Sequence, residues 1–276
     1  MRNLSPSIPT RISLRFFPWR IMQTRALAAF LAVAWNPAML RRVGIKMLCK
    51  IADLIVEIPA TEGFALRLGS YETKENKAPD IVIREDMYAP WEQSGFQSKE
   101  DHAYMESGWK FYVRLLKFGG MMLHASAVAL NGKAYLFSGP SGMGKSTHTR
   151  LWEQEFPEAR IFNDDKPALR FVDGAWFAYG TPWAGKHGIN INLKTPLGGI
   201  CFLRRGEKNS IRRLGGLEAA AAVISQTMRR FTSASPLDAM LDLVNRLVED
   251  VPVFELTATP DPEAARLSYE TMRAEV

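Results

Sequence analysis

Residues 139–147 have the composition and spacing of a loop that binds phosphate groups. The pattern G-x-x-x-x-G-K-[ST] is met by the run Gly139-Pro140-Ser141-Gly142-Met143-Gly144-Lys145-Ser146-Thr147. Glycines let the backbone curl until successive N–H groups point at phosphate oxygens, and a following helix adds the positive partial charge of its N-terminus. The pattern predicts a nucleotide site in which Lys145 reaches the β- and γ-phosphates and the Ser146 hydroxyl is a ligand of Mg²⁺. The predicted nucleotide contacts in this run are Gly139, Ser141, Gly142, Met143, Gly144, Lys145, Ser146 and Thr147.

Two adjacent carboxylates, Asp164 and Asp165, follow a short predicted strand at residues 160–163. Carboxylates at the end of a strand suit phosphoryl transfer, because one can hold Mg²⁺ while the other takes a proton from an incoming hydroxyl. Both are predicted to be catalytic and metal-binding residues. The alternative is a surface turn, and the sequence does not assign which carboxylate is the base and which is the metal ligand.

A histidine and a glycine-rich segment are further candidates. His124 lies on a predicted strand that pairs with the strand leading into the 139–147 run, so it is a candidate catalytic residue; the alternative is a satisfied core histidine. Residues 180–186 read GTPWAGK and place a cation, Lys186, in a segment punctuated by glycine and proline. This segment is either a structured turn or a clamp for substrate or phosphate, with Lys186 as a nucleotide contact.

The elements that must position these residues can be predicted from turn signals and periodicity. Strands are predicted at 121–130 and 133–138, joined by Asn131-Gly132, and at 168–172 and 175–179, joined by Asp173-Gly174. A helix is predicted at 145–155. Further strands are predicted at 199–203 and 251–256, and further helices at 217–230, 235–250 and 261–273.

The segment before residue 120 is predicted to be a small α+β subdomain with no chemistry of its own. Residues 47–59 read as a natural first strand, with 51–58 and 81–83 as short strands, 70–80 and 92–102 as loops, and 106–118 as a helix. The predicted organisation is therefore an extension at 1–46, this subdomain at 47–119 and a nucleotide-binding domain at 120–276.

Composition and charge exclude several classes of protein. The chain has 276 residues, of which 47% are hydrophobic and 23% are charged, as in globular proteins. Two cysteines, Cys49 and Cys201, cannot form a disulfide framework or a four-ligand zinc site. The longest apolar run, residues 26–35, has ten residues, whereas a membrane span needs about 20. The sequence therefore predicts a cytoplasmic protein without a membrane partner.

The basic charge is concentrated at the N-terminus. Residues 1–50 contain nine Lys or Arg and no Asp or Glu, so the rest of the chain, with 26 basic and 29 acidic residues, has a net charge of −3. The overall charge of +6 therefore does not predict a nucleic-acid-binding surface. Residues 1–46 are interpreted as an extension outside the fold, such as an over-long gene start; an export signal or an amphipathic membrane anchor remain alternatives.

The segment 123–186 resembles the catalytic domain of HPr kinase/phosphorylase and its smaller bacterial relatives, including lasso-peptide kinases, which share a fold with phosphoenolpyruvate carboxykinase. The resemblance is carried by His124, by GPSGMGKST at 139–147 and by NDDKPALR at 163–170, with GTPWAGK at 180–186 and GICFLRRG at 199–206. It extends more weakly over residues 120–275. It implies an α/β fold, a phosphate-binding-loop mixed sheet, preceded by the small α+β subdomain. It also implies ATP and Mg²⁺ as cofactors, with the family's roles falling on Lys145, Ser146, Asp164, Asp165 and His124.

The glycine-rich signature that follows the Asp pair in true HPr kinases has no counterpart here, so the resemblance does not name HPr as the acceptor. The expected activity is ATP- and Mg²⁺-dependent phosphorylation of a serine-type hydroxyl on a protein, a peptide or a small molecule. A nucleotide-binding switch without kinase activity and a carboxykinase-like enzyme acting on a small acid are the alternatives. Family members often assemble, which leaves a homo-oligomer open.

Overall fold

The computed structural model describes residues 45–60, 62–228, 231 and 233–275. These residues belong to one compact unit, 42–276. The predicted extension lies outside the described residues except for its last two positions, which begin the first strand. The proposed boundary between residues 119 and 120 stays a prediction.

The N-terminal part of the described chain is a three-stranded sheet with two helices. Strands β1 (Ile45–Ile51) and β2 (Leu54–Ala60) are antiparallel, and β3 (Ile81–Val82) runs parallel to β2. The predicted single strand at 47–59 is therefore wrong. It is broken at Ala52 and Asp53, which adopt φ of 51° and 62° and close a tight hairpin turn without a glycine.

Helix α1 (Glu62–Leu68) follows β2, and helix α2 (Lys99–Leu115) precedes the large sheet. Helix α2 begins seven residues earlier than the predicted 106–118 because Ser98 is its N-cap, accepting a hydrogen bond from the Asp101 backbone N–H at 3.0 Å. The predicted loop at 92–102 consequently ends at Ser98.

The larger sheet has nine strands in the described chain. Seven follow the order β4-β8-β9-β10-β6-β5-β7, and β12 pairs with β10 and with β11. The strands are β4 (Gly120–Met122), β5 (Ala125–Leu130), β6 (Lys133–Ser138), β7 (Arg160–Asn163), β8 (Ala168–Val172), β9 (Ala175–Tyr179), β10 (Lys194–Arg205), β11 (Ser210–Arg213) and β12 (Val253–Ala258). Strand β10 runs parallel to β6 and β12, and its first residues pair antiparallel with β9, so the sheet is mixed.

The predicted strand at 121–130 is two strands in the structure. Strand β4 pairs with β8, whereas β5 pairs with β6 and β7. Between them Leu123 forms a β-bridge with Thr227, and the backbone N–H of His124 donates to the Gln226 carbonyl oxygen at 2.8 Å. The break turns His124 away from a regular ladder position and toward the ends of β6 and β7. Both predicted hairpins are confirmed, with Asn131-Gly132 and Asp173-Gly174 at positive φ.

Four helices cover the large sheet. They are α3 (Lys145–Glu155), α4 (Gly216–Gln226), α5 (Ala234–Asp250) and α6 (Pro262–Arg273). One hydrophobic core lies under α4 and α5, and a second lies under α3 and α6, so residues of the central strands are buried on both faces. None of the described helices combines the length and the apolar character needed to cross a membrane. Cys49 and Cys201 are both buried and unpaired, and burial raises the pKa of the Cys49 thiol to about 12.

Candidate functional site

The 139–144 loop joins the end of β6 to the start of α3. Gly139, Gly142 and Gly144 have φ of 144°, 80° and 108°, values that side chains disfavour. Gly144 is the N-cap of α3, so the first backbone N–H groups of the helix lie where the loop ends. This strand–loop–helix arrangement presents several unpaired N–H groups at one point, as a site for an anion requires.

Lys145 is folded back over the loop. Its Nζ donates to the carbonyl oxygens of Gly139 at 2.8 Å and Pro140 at 3.3 Å. Only 8% of the residue is exposed, and this burial lowers the pKa of the ammonium, while nearby Asp165 raises it. A buried cation whose partners are neutral carbonyl oxygens gains a stronger partner when a phosphate oxygen arrives.

Asp165 is the centre of a cluster of charged groups. Its Oδ1 lies 3.0 Å from His124 Nε2, and its Oδ2 pairs with Lys166 Nζ. Burial raises the pKa of Asp165, but the hydrogen bonds and charges of His124 and Lys166 outweigh it and lower the pKa to about 2. His124 Nδ1 in turn lies 3.2 Å from Gln226 Oε1, so the ring is held between two oxygen atoms. A ring with a hydrogen on each nitrogen donates to both.

Asp164 has a different environment from its neighbour. Its Oδ1 accepts from the Gly185 backbone N–H at 2.7 Å, and its Oδ2 accepts from the His187 backbone N–H at 3.0 Å. A Cβ at Gly185 would lie 3.0 Å from the Asp165 Cβ and 3.2 Å from Asp164 Oδ2, so a side chain there would crowd both aspartates. Asp164 therefore fixes the 185–187 turn, and both aspartates line the same cavity.

Asn163 sets the geometry of this pair. Its Oδ1 accepts from the backbone N–H groups of Asp165 at 3.1 Å and Lys166 at 2.7 Å, which turns the chain sharply after β7. Its Nδ2 donates to the Thr181 carbonyl oxygen at 3.0 Å. Asn163 is fully buried, so one side chain ties the aspartates to the 180–187 segment.

The 180–187 segment is anchored on α2. The Trp183 ring stacks on Phe111 with 4.9 Å between centroids, and its Nε1 donates to Ser107 Oγ at 3.1 Å. Tyr104 accepts from the Ala184 backbone N–H at 2.6 Å and donates to the Ala184 carbonyl oxygen at 3.1 Å. Trp183 is 1% exposed, so the aromatic of this segment is a structural anchor, and the exposed Lys186 is the side chain that reaches the cavity.

A cavity of about 360 Å³ brings most of the predicted site residues together. It is lined by His124, Ser141, Gly142, Gly144, Lys145, Ser146, Thr147, Asp164, Asp165, Gly185 and Lys186. Two predicted contacts do not line it. Gly139 meets the site only through its carbonyl oxygen on Lys145 Nζ, and Met143 lines a separate cavity of about 390 Å³ on the other side of the loop.

The donor set suits Mg²⁺ held with a nucleotide. Among the described residues, no three His, Cys, Asp or Glu side chains cluster in a way that could hold a metal ion by themselves. Mg²⁺ in nucleotide sites usually takes one or two protein oxygens and completes its shell with phosphates and water. The Ser146 hydroxyl and a carboxylate oxygen of Asp164, which line one cavity with Lys145, provide such a partial set.

Several residues that build the site were not predicted. Lys166 and Asn163 flank the aspartates, and their position beside an Asp-Asp pair was the only available signal. Gln226 lies 102 residues after His124, and no sequence pattern connects them. Arg205 at the end of β10 donates to the Gly142 carbonyl oxygen at 2.5 Å and so braces the 139–144 loop. Tyr104 belongs to the segment that was expected to carry no chemistry.

Comparison with known proteins finds similar solved structures and a matching family. A solved structure of the Hpr(Ser) kinase/phosphatase from Coxiella burnetii is similar over 56% of this chain and 93% of that chain, with 12% sequence identity and a TM-score of 0.34. No curated protein matches the chain. The family described as SynChlorMet cassette protein ScmC matches residues 98–259, which is more than half of the chain and contains the loop, both aspartates and the 180–187 segment. The chain belongs to the ScmC family.

Proposed function

We propose that this protein is an ATP- and Mg²⁺-dependent phosphotransferase that phosphorylates a serine-type hydroxyl. The observation that carries the proposal is the single cavity in which the 139–144 loop, Lys145 and the Asp165–His124 pair meet. A phosphate-binding loop alone is found in many nucleotide-binding proteins. A carboxylate facing that loop, held by a lysine and a histidine, is what transfer to a hydroxyl requires in addition.

The nucleotide is proposed to occupy two adjacent cavities. The loop N–H groups and Lys145 would hold the phosphates in the 360 Å³ cavity, and Ser146 with Asp164 would hold Mg²⁺, which leaves Asp165 for the acceptor. The 390 Å³ cavity shares Gly144 and Thr147 with the first and has a mainly apolar wall, which suits a nucleoside. The residues that form this wall include Met143, Leu151, Leu203, Ala258 and Pro260.

Bound MgATP would supply the γ-phosphoryl group, and its Mg²⁺ would neutralise charge that develops on the phosphate oxygens. In the proposed reaction a bond forms between the acceptor oxygen and the γ-phosphorus, and the bond from that phosphorus to the β,γ-bridging oxygen breaks, which releases ADP. Asp165 orients the acceptor hydroxyl and receives its proton. A carboxylate is a weak base, but transfer through a loose transition state asks mainly for orientation and for stabilisation of charge. Lys145 supplies positive charge beside the reacting group, and His124 positions Asp165 through its Nε2.

Two variants test this assignment. Lys145→Ala is expected to weaken ATP binding or turnover about 10²–10³-fold, as removal of charge-stabilising donors does elsewhere. Lys117→Ala, which removes an exposed lysine of the N-terminal part, is the matched control and should leave ATP affinity unchanged. Asp165→Asn is expected to bind ATP and to lose transfer to serine peptides and free serine.

Calorimetry with ATP and Mg²⁺, beside transfer of labelled γ-phosphate, gives both readouts. Wild-type ATP affinity and turnover in Lys145→Ala would refute the loop assignment. ATP hydrolysis that needs no acceptor, together with nucleotide-dependent binding of a partner protein, would favour the nucleotide switch. Oxaloacetate-dependent turnover would favour the carboxykinase-like alternative.

A further inference from the structure

Two recesses lie along helix α2 beside the candidate site. The first, here the mixed recess, has a volume of about 530 Å³ and combines aromatic with charged side chains. The second, here the apolar recess, has a volume of about 310 Å³. The mixed recess is lined by residues that include Phe64, Arg67, Phe96, Glu100, Tyr104 and Gly185. The apolar recess is lined by residues that include Trp109, Met122, Lys166, Trp183, Thr227 and Met228. Met105 belongs to both walls.

Both recesses border the surroundings of Asp165. Lys166, whose Nζ pairs with Asp165 Oδ2, lines the apolar recess. Gly185 lines the mixed recess and also the 360 Å³ cavity that contains Asp165. Neither recess shares a residue with the 390 Å³ cavity assigned to the nucleoside. An acceptor bound along these recesses would therefore approach Asp165 without occupying the nucleoside cavity.

The spacing of the two recesses sets the size of their occupant. Helix α2 supplies residues 100–105 to the mixed recess and residues 105–112 to the apolar recess. The centres of these two runs are about six residues apart, which is about 9 Å along a helix that rises 1.5 Å per residue. An extended chain covers about 9 Å in three residues. A peptide of about four residues is therefore long enough to reach both recesses, whereas a single amino acid is not.

We infer that the acceptor is an extended peptide segment that crosses α2 and places a bulky apolar side chain in the apolar recess. The peptide residue that occupies the mixed recess is about three residues from that apolar side chain, and the residue with the hydroxyl group lies between them. This inference rests on the proposed function and adds the substrate class: a peptide whose serine has a methionine, leucine or phenylalanine one or two residues away on one side. Met105, Trp109 and Met228 supply adaptable apolar surface, which accepts side chains of several shapes.

A peptide series tests the substrate class directly. Each peptide has one central serine on a polar background without other hydroxyl groups, and a leucine is moved through the three positions on either side. Transfer from labelled ATP is expected to be strongest for leucine at one position on one side, with KM about ten-fold lower than for alanine at that position. Equal KM for all positions, or transfer to free serine and to no peptide, would overturn the inference.

Met105→Glu tests the wall that the two recesses share. Met105 is 37% exposed, so the charge is tolerated by the fold, and Leu237→Glu on α5, at 40% exposure, is the matched control. The change at Met105 should raise KM about ten-fold for the preferred leucine peptide and clearly less for its alanine counterpart, a difference that a general loss of structure would not produce. Leu237→Glu should change neither KM.

Thermal unfolding of both variants measures whether the fold is intact. Equal effects of Met105→Glu on the two peptides would overturn the inference and leave the kinase proposal standing. Failure of the wild-type protein to bind ATP in calorimetry would refute the proposed function itself, so the two failures are distinguishable.

Discussion

The charge of Asp165 should stabilise the folded protein, and Asp165→Asn measures by how much. Its pKa is about 2 in the structure, against about 3.9 for an unperturbed aspartate. A difference of about two pH units corresponds to about 2–3 kcal/mol of unfolding free energy at pH 7. The side chain is 21% exposed, so solvent screening reduces this value only in part. For a described chain of this size the variant should unfold about 5–10 °C lower at pH 7.

The pH dependence separates charge from shape. Because the folded pKa is lowered, the contribution is complete above the unfolded pKa of about 4 and is lost as the pH falls through the folded value of about 2. About half of the difference between wild type and Asp165→Asn should therefore remain at pH 3. Urea unfolding of both proteins between pH 7 and pH 3 measures this difference directly.

Asp86→Asn is the matched control, since Asp86 pairs with Arg84 on the surface and its side chain is 68% exposed. It should leave the unfolding free energy unchanged at every pH. If Asp165→Asn lost the same free energy at pH 3 as at pH 7, the loss would come from altered packing, and the argument that His124 and Lys166 stabilise a charge would be refuted.

Two further changes test other parts of the structure. Asp164→Asn removes one of two charge-assisted hydrogen bonds to the Gly185 and His187 backbone and should lower the unfolding free energy by about 2 kcal/mol. Proteolysis within residues 180–190 should become faster, and an unchanged digestion pattern would contradict the anchoring role. A chain that starts at Met47 loses only Ile45 and Lys46 of the described residues and should keep full ATP affinity in calorimetry. A thermal unfolding midpoint several degrees lower would show that the removed residues pack on the rest of the protein.

Local backbone chemistry made part of the fold predictable. Asn131-Gly132 and Asp173-Gly174 close their hairpins at the predicted positions, because both pairs adopt positive φ at little cost. The 139–144 loop and the helix after it were predictable for the same reason. The hairpin at Ala52-Asp53 was not, since alanine disfavours positive φ and no glycine stands beside Asp53; buried partners on both strands of the hairpin impose it.

Contacts distant in sequence were not predictable. The bond between Gln226 and His124 depends on where α4 ends, and nothing near either residue indicates it. Gly108 is another example: in sequence it is a helix-weakening glycine, but a Cβ there would lie 2.8 Å from the Trp183 ring, so it makes room for the anchor of the 180–187 segment. The role of α2 in building the site depends on such packing, and no sequence motif indicates it.

Strand β10 determines where the chain can be cut. Its first residues pair with β9 and its later residues pair with β6 and β12, so one continuous backbone belongs to both halves of the large sheet. A circular permutant with new ends inside β10 would divide the sheet at the strand that unites it. New ends at the exposed Asn131-Gly132 or Asp173-Gly174 turns would leave every ladder intact. A split reporter built on this protein should therefore be divided at one of those turns. Its two fragments would reassemble only when one of them contains all of β10.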